Sequence, residues 1–454
     1  MDAISIILLN TSSCLFYCIY SIHQLKTAGK LRLLQLSSIA VVVTNGFAIP
    51  FIEYANPIYQ FPYTFDVTLT AFFCMTIYIS ICLLFQFAVH LDLFKKILEG
   101  HKINKRYKQK IKNFITYDKP SLWFWIFIVV SILGFIRFMI FSNGILYLGA
   151  ALSHVGNTYD YYTERAFVNA ILLASGNGAG LAIIVMSYLG PTLIGMAFYF
   201  YGKMANHNFF RRIAFWLLVS LLNIMIILIA FTLSKKVMIL YSILFPIVIL
   251  LGNRANEMQL NKLFSFKLIV RILVMLILFI GIGSIISSTV SGQSLVLGVE
   301  AFLERIFVVP AGTNNFYYAL FPDRLPYRGM SQMFDMAAQS NTPNDISYLD
   351  IAVLSTGYSF GANAFFLAIA YSGASFIGVS IVSFLFCVLA VCNDYWLDRV
   401  DPKLNLILIF ASSYAIFGLC NTPIFTSIIN YGFVLSSLIA RITARRSQLT
   451  IRIP

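Results

Sequence analysis

Seven basic residues stand apart from the basic clusters of this chain: Arg137, Arg165, Lys235, Lys236, Arg305, Arg324 and Arg328. Arginine presents a planar fork that binds phosphate oxygens two at a time, and lysine acts as a point charge. Lys235 and Lys236 are adjacent, with no acid beside them, so their mutual repulsion requires an anion. Arg305 has Glu300 and Glu304 nearby, and Arg324 follows Asp323. For those arginines, pairing with the acids or reaching to lipid phosphate competes with holding a ligand. A diphosphate at a membrane surface suits the set as a whole.

Around three of these cations lies an aromatic group: Phe316, Tyr317, Tyr318, Phe321, Tyr327, Tyr348 and Tyr358. It reads either as an interfacial belt or as a sugar platform, since ring faces pack on pyranoses and phenols donate hydrogen bonds. Glycosyl transfer needs a base for the acceptor hydroxyl, or an arrangement that dispenses with one. The available carboxylates are Asp335, Asp345 and Asp350, with Asp160 and Glu164 earlier in the chain. No Asp-x-Asp spacing accompanies them, and 289–364 contains no histidine, so neither a metal site nor a Ser-His-Asp set can be assembled. The seven cysteines (Cys14, Cys18, Cys74, Cys82, Cys387, Cys392, Cys420) lie in apolar runs without metal spacing and read as small buried hydrophobes.

The elements that must position these residues are set by composition. Of 454 residues, 59% are hydrophobic and 11% charged, and the mean hydropathy is +0.82. A soluble domain is roughly a quarter charged, so the bilayer is the solvent here. The apolar runs are continuous rather than alternating, which predicts an all-α polytopic integral membrane protein and not a barrel. About eleven spans are expected (11–12): 3–22, 33–52, 67–91, 121–142, 181–201, 213–233, 237–251, 271–288, 365–392, 404–420 and 426–440. The first run has no basic residue before it and no cleavage site, and reads as a span rather than a signal peptide. The whole chain, 1–454, reads as one membrane domain.

Alternate connections differ sharply in charge. Those at 23–32, 92–120, 202–212, 252–270 (counting with it Arg271, at the start of the next span), 393–403 and from Arg441 onward hold 25 Lys/Arg against 7 Asp/Glu. The others hold 6 Lys/Arg against 11 Asp/Glu, with Arg137 inside a span. The positive-inside rule puts the first set in the cytoplasm, the N-terminus outside and the C-terminus inside. The net charge of +14 is then topological and implies no nucleic acid. The basic run from Lys95 to Lys119 reads as a topology anchor drawn to anionic lipid in preference to a docking site, with Trp123 and Trp125 beside it as an interface belt. Two large connections, 143–180 and 289–364, fall outside. The second carries Arg305, Arg324 and Arg328, and its prolines predict a folded loop with short helices.

At these residues the sequence resembles the Wzy-type O-antigen (oligosaccharide repeat-unit) polymerases of bacteria. Ser234, Lys235 and Lys236 precede an apolar run at the tip of a predicted hairpin. Arg305, Ile306 and Phe307 lead to Pro310, Asn315 to Tyr318, Phe321-Pro322 and Arg328 to Ser331. Gly361, Asn363, Ala364, Ala368, Ala370, Tyr371 and the stretch Gly373 to Gly378 enter a late span. The resemblance implies a GT-C-like glycosyltransferase of the bacterial inner membrane, acting on the periplasmic face. It would polymerise undecaprenyl-diphosphate-linked repeat units into O-antigen or a related surface polysaccharide, with membrane lipids and a chain-length regulator as partners. Lys235, Lys236, Arg305, Arg324 and Arg165 would hold the donor diphosphate. Arg305, Arg328 and Asp335 would act in catalysis, and Tyr317, Tyr318 and Tyr327 would contact sugar. No cofactor or metal is implied, because the donor already carries the energy. Related ligases place a histidine in the large loop, whereas Tyr327 and Arg328 stand in the comparable region here.

Two other classes compete. A lipid-linked oligosaccharide flippase or polysaccharide exporter would share the topology, but should line a cavity with intramembrane charges and show related halves. Only Arg137 lies clearly inside a span, and no internal repeat is evident. A membrane O-acyltransferase would need a histidine near its acyl donor.

Overall fold

The computed structural model describes residues 3–28, 31–55, 60–90, 117–141, 144–145, 179–203, 209–233, 274, 277, 280–285, 288, 294–334, 348–357, 364–400 and 402–446. Among them the chain is almost entirely helical. In order come α1 (Ala3–Ala28), α2 (Leu33–Val41), α3 (Phe65–His90), β1 (Tyr117–Pro120), α4 (Leu122–Phe141), α5 (Ala179–Ile184), α6 (Gly190–Lys203) and α7 (Phe209–Thr232). There follow α8 (Leu295–Phe307), α9 (Val309–Leu320), α10 (Tyr348–Thr356), α11 (Phe366–Leu397), α12 (Pro402–Ala411), α13 (Ser413–Leu419), α14 (Ile424–Ile429), α15 (Leu435–Thr443) and β2 (Ala444–Arg446).

Among the described residues, six helical stretches are long and apolar enough to cross a membrane: Ile4–Thr27, Phe65–Val89, Leu122–Ile140, Gly180–Tyr201, Phe209–Ala230 and Phe366–Leu397. The protein is therefore an α-helical membrane protein. These six fall on expected spans. The expected span 237–251 lies outside the described residues, and of 271–288 the described pieces are helical. Three other apolar runs are broken. The run 33–52 passes from α2 through a π turn (Val42–Gly46) into a 3-10 turn (Ile49–Tyr54). Asn45, Gly46 and Pro50 interrupt it, and Asn10 Nδ2 donates to the Gly46 carbonyl at 2.8 Å. The run 404–420 breaks at Ser412 between α12 and α13, and 426–440 breaks between α14 and α15. Val434, just before α15, adopts φ 63°, a left-handed conformation that ends helical continuity.

The chain condenses into two compact units. The first comprises Met1–Ile111, Leu303–Trp396 and Ile416–Ile428; the second comprises Lys112–Phe302, Leu397–Ala415 and Ile429–Pro454. In the first, α1 packs on α2 and α3, and α9 packs on α3, α10, the π turn and the 3-10 turn. Its centre is aromatic. Tyr78 of α3 meets Phe365, Phe366 and Phe386 at ring distances of 6.3, 6.0 and 5.6 Å. Polar bonds join α1 to α3 in the same interior: Gln86 Nε2 donates to Tyr17 Oη at 2.8 Å and to Ser21 Oγ at 3.0 Å. In the second unit α6 packs on α7, α12 and α15, with Tyr201 stacked on Phe215 at 4.0 Å.

Within each unit, connections of like charge character meet. Leu33 and Leu34, which follow the basic connection 23–32, donate to the Asp394 carboxylate in 393–403 at 2.5 and 2.9 Å. β1, from the basic connection 92–120, pairs antiparallel with β2 of the basic tail. Asn315, in the acidic connection 289–364, donates to the Pro62 carbonyl in 53–66 at 2.8 Å.

Candidate functional site

The connection that carries Arg305, Arg324 and Arg328 is folded, as its prolines predict. α8 ends at Phe307 beside Arg305, and one residue, Val308, separates it from α9. Pro310 falls in the first turn of α9, where its missing N–H costs nothing. The helix stops at Leu320, whose carbonyl accepts from Arg324 N at 3.0 Å and Leu325 N at 2.9 Å. Pro322 and Pro326 then prevent a new helix, and the chain runs without regular structure through Tyr327 to Gly329 (φ 99°) into a short 3-10 turn, Met330–Phe334.

That piece is held by a break in α11. At Ala374 (φ −149°, ψ 33°) and Ser375 (φ 55°, ψ −149°) the helix leaves helical geometry. Ser375 occupies a region that glycine normally fills, at a cost of about 1–3 kcal/mol. The break frees the carbonyls of Ser372 and Gly373 from the helical ladder. Inside a membrane protein such groups need partners. Arg328 N supplies one at 2.9 Å and Gly329 N the other at 2.8 Å. Close approach is essential here, because a Cβ on Gly373 would lie 2.7 Å from the Met333 backbone. The Tyr327 hydroxyl can donate to Ser375 Oγ at 3.2 Å or to Tyr371 Oη at 3.4 Å. Tyr371 in turn meets the rings of Tyr318, Tyr327 and Phe376.

The expected site residues divide by placement. Arg305 and Arg324 are exposed, Arg328 is half-buried, and all three belong to the first unit. Of the three tyrosines, Tyr327 is 37% exposed, while Tyr317 at 2% and Tyr318 at 8% are buried in the packing of α9. Only Tyr327 therefore offers a ring face at the surface. Arg165, Lys235, Lys236 and Asp335 lie outside the described residues. Arg137 is exposed on α4, in the second unit. Among the described residues no group of three or more His, Cys, Asp or Glu is arranged to hold a metal ion.

Residues that sequence reasoning passed over hold α9, the helix from which this loop departs. Asn314 Nδ2 donates to Asn45 Oδ1 at 2.9 Å, and its own Oδ1 accepts from Phe365 N at 2.9 Å. These amides fix α9 to the π turn and to the start of α11. Their signal was two adjacent asparagines in an otherwise apolar stretch. Tyr63, beside the 3-10 turn, packs against Ala48, Ile52 and Ala311. Burial, with Glu53 and Tyr54 nearby, pushes its phenol up from the ordinary tyrosine value, so it stays a neutral donor at physiological pH. Chemically, the arrangement is a short arginine-bearing loop with a fixed backbone, one exposed phenol and a rigid buried support. Such a loop can present guanidinium groups to an anion without first being ordered. The chain matches no protein-family model, no curated protein and no solved structure.

Proposed function

We propose that this protein is a bacterial inner-membrane glycosyltransferase of about eleven spans and GT-C-like fold. In this reading it polymerises undecaprenyl-diphosphate-linked oligosaccharide repeat units on the periplasmic face. The observation that carries it is the loop Phe321–Gly329. Two arginines and a surface tyrosine sit on backbone stitched to the broken helix α11 through Ser372 and Gly373, with Arg305 in the same compact unit. Support for the face comes from the pairing of acidic connections with one another and of basic ones with one another, as alternating spans require.

In the reaction, the bond between the donor sugar's anomeric carbon and the diphosphate oxygen breaks. A bond from that carbon to an acceptor hydroxyl oxygen forms. The hydroxyl proton passes to a base, for which Asp335 is the candidate, and the lipid diphosphate departs carrying the electron pair. Charge builds on the departing oxygen, where preorganised cations stabilise it most. Arg305, Arg324 and Arg328, all of the first unit, are assigned to that charge.

The test is extension of a lipid-linked repeat unit by the purified full-length protein, read as a ladder on a gel. Arg328→Ala and Arg305→Ala should each lower the rate by about 10²–10³, the scale of losing one transition-state donor, at unchanged abundance. Arg328→Lys should retain part of it. A ladder of normal rate and length from both alanine variants would remove the assignment. Loss of activity in chelator would show that the reaction needs a metal. In cells, loss of the gene should leave single repeat units on the surface; their complete absence would instead mark a flippase.

A further inference from the structure

Helix α9 carries two adjacent asparagines into the interior of the first unit. Asn314 is 4% exposed and Asn315 2%. A buried amide is tolerated only where its donors and acceptor are matched. Asn314 is matched on both sides by Asn45 Oδ1 and Phe365 N. Asn315 is matched on one: Nδ2 donates to the Pro62 carbonyl at 2.8 Å, but Oδ1 is buried without a hydrogen-bond partner among the described residues. A small cavity adjoins these amides. Asn45, Asn314, Asn315 and Tyr318 line it together with apolar side chains that include Met75 and Ala311, and it offers about 10 Å³ to the centre of a water molecule. An interior water needs about that much space and two to four polar partners.

We propose that this cavity is a binding site for a single water molecule that donates to Asn315 Oδ1 and links α9 to the π turn after α2. Three properties define the ligand. It is a hydrogen-bond donor, because the unmatched atom is a carbonyl oxygen. It is small, because the space admits one oxygen-sized centre. It is neutral, because no Asp, Glu, Lys or Arg lines the cavity and an uncompensated charge is strongly disfavoured in a low-dielectric interior. Water meets all three, and a sodium or ammonium ion fails the last. The bound water completes the polar contact between α9 and the π turn, and so helps fix the helix from which the Arg324–Arg328 loop departs.

X-ray radiolytic footprinting of the full-length protein in lipid nanodiscs tests this. A bound water is converted to hydroxyl radical in place and oxidises the side chains beside it, so a buried residue next to water labels unusually fast. Met75, 4% exposed, is the reporter; Met186 and Met225, both 1% exposed, are buried references. Met75 should label several-fold faster than either reference, and Asn315→Leu, which removes the acceptor and fills the space, should bring it down to their rate. Equal labelling of the three methionines in the native protein overturns the proposal. So does fast Met75 labelling that survives Asn315→Leu. Ala311→Val, which fills the cavity while keeping the amide, gives the same readout if the leucine variant does not yield folded protein. Thermal unfolding should be the same in sodium chloride and in N-methylglucamine chloride; a stabilisation specific to sodium overturns the proposal in favour of a cation.

Discussion

Removing the Asp394 side chain should loosen the first unit more than any single surface change. Asp394 is 6% exposed. Its two oxygens accept from the backbone N–H groups of Leu33 at 2.5 Å and Leu34 at 2.9 Å. These are the first two N–H groups of α2, and the residue at its N-cap position, Arg32, makes no side-chain cap. A carboxylate 360 positions along the chain thus does what a local Ser, Thr or Asp usually does. Hydrogen bonds to a charged group contribute about 1.5–3 kcal/mol each. Loss of a cap costs about 0.5–2 kcal/mol. Leu33 and Leu34 are 0% and 1% exposed, so water does not readily replace the lost acceptor. Asp394→Ala should therefore cost on the order of 2–4 kcal/mol, below the simple sum because neighbouring groups relax. Asp394→Asn keeps one acceptor but turns an amide donor toward the second N–H, and should cost a substantial part of that. The assay is proteolysis of the purified protein in detergent across a denaturant series, read at the connection 23–32. Stability of Asp394→Ala within about 0.5 kcal/mol of the native protein, the scatter of ordinary surface substitutions, would refute the capping argument.

Three further outcomes are expected. Gln86→Leu should destabilise the α1–α3 pairing by about 0.6–1.7 kcal/mol, the range for polar contacts between membrane helices, because Tyr17 and Ser21 lose their shared partner; a denaturant midpoint checks it. Gly373→Ala should sharply reduce the yield of folded protein, since the added Cβ meets Met333 backbone at 2.7 Å, whereas Gly281→Ala, with no atom of a described residue within 4 Å of the added Cβ, should behave as native in size-exclusion chromatography. Among the seven cysteines only Cys392 is exposed, so a membrane-permeant maleimide should modify one site per chain under native conditions and Cys392→Ser should abolish the label; modification of Cys82 or Cys387 in folded protein would contradict their burial.

The long spans were legible because an uninterrupted apolar run of about 20 residues has one physical solution in lipid. The broken ones were not, because hydropathy averages over a window. It registers 33–52 and 404–420 as apolar and passes over Asn45, Gly46 and Ser412, where the helices end. Pro310, Pro322 and Pro326 did announce short helices and turns in the late connection, since proline acts on the backbone whatever the solvent. The aromatic residues were harder to place. In water an exposed Tyr317 and a buried one belong to differently patterned faces. In a membrane protein the outward face is apolar as well, so periodicity does not distinguish contact with lipid from contact with protein. Phe316, Tyr317 and Tyr318 are consecutive and all buried, which places α9 among neighbours on every side.

Polar residues inside apolar runs carry the information that hydropathy lacks. Each needs a partner, and the partner reveals what the helix packs on. Gln86 pointed to α1, Asn314 to the π turn and α11, and Asp394 to the start of α2. Arg305 and Arg324 are different: exposed on the acidic connection, they run against the charge rule that governs the rest of the chain. The same reasoning thus separates two kinds of polar residue. Those that are buried and matched hold the first unit together, and those that are exposed and of unexpected sign are the ones the proposed function assigns to an anionic ligand.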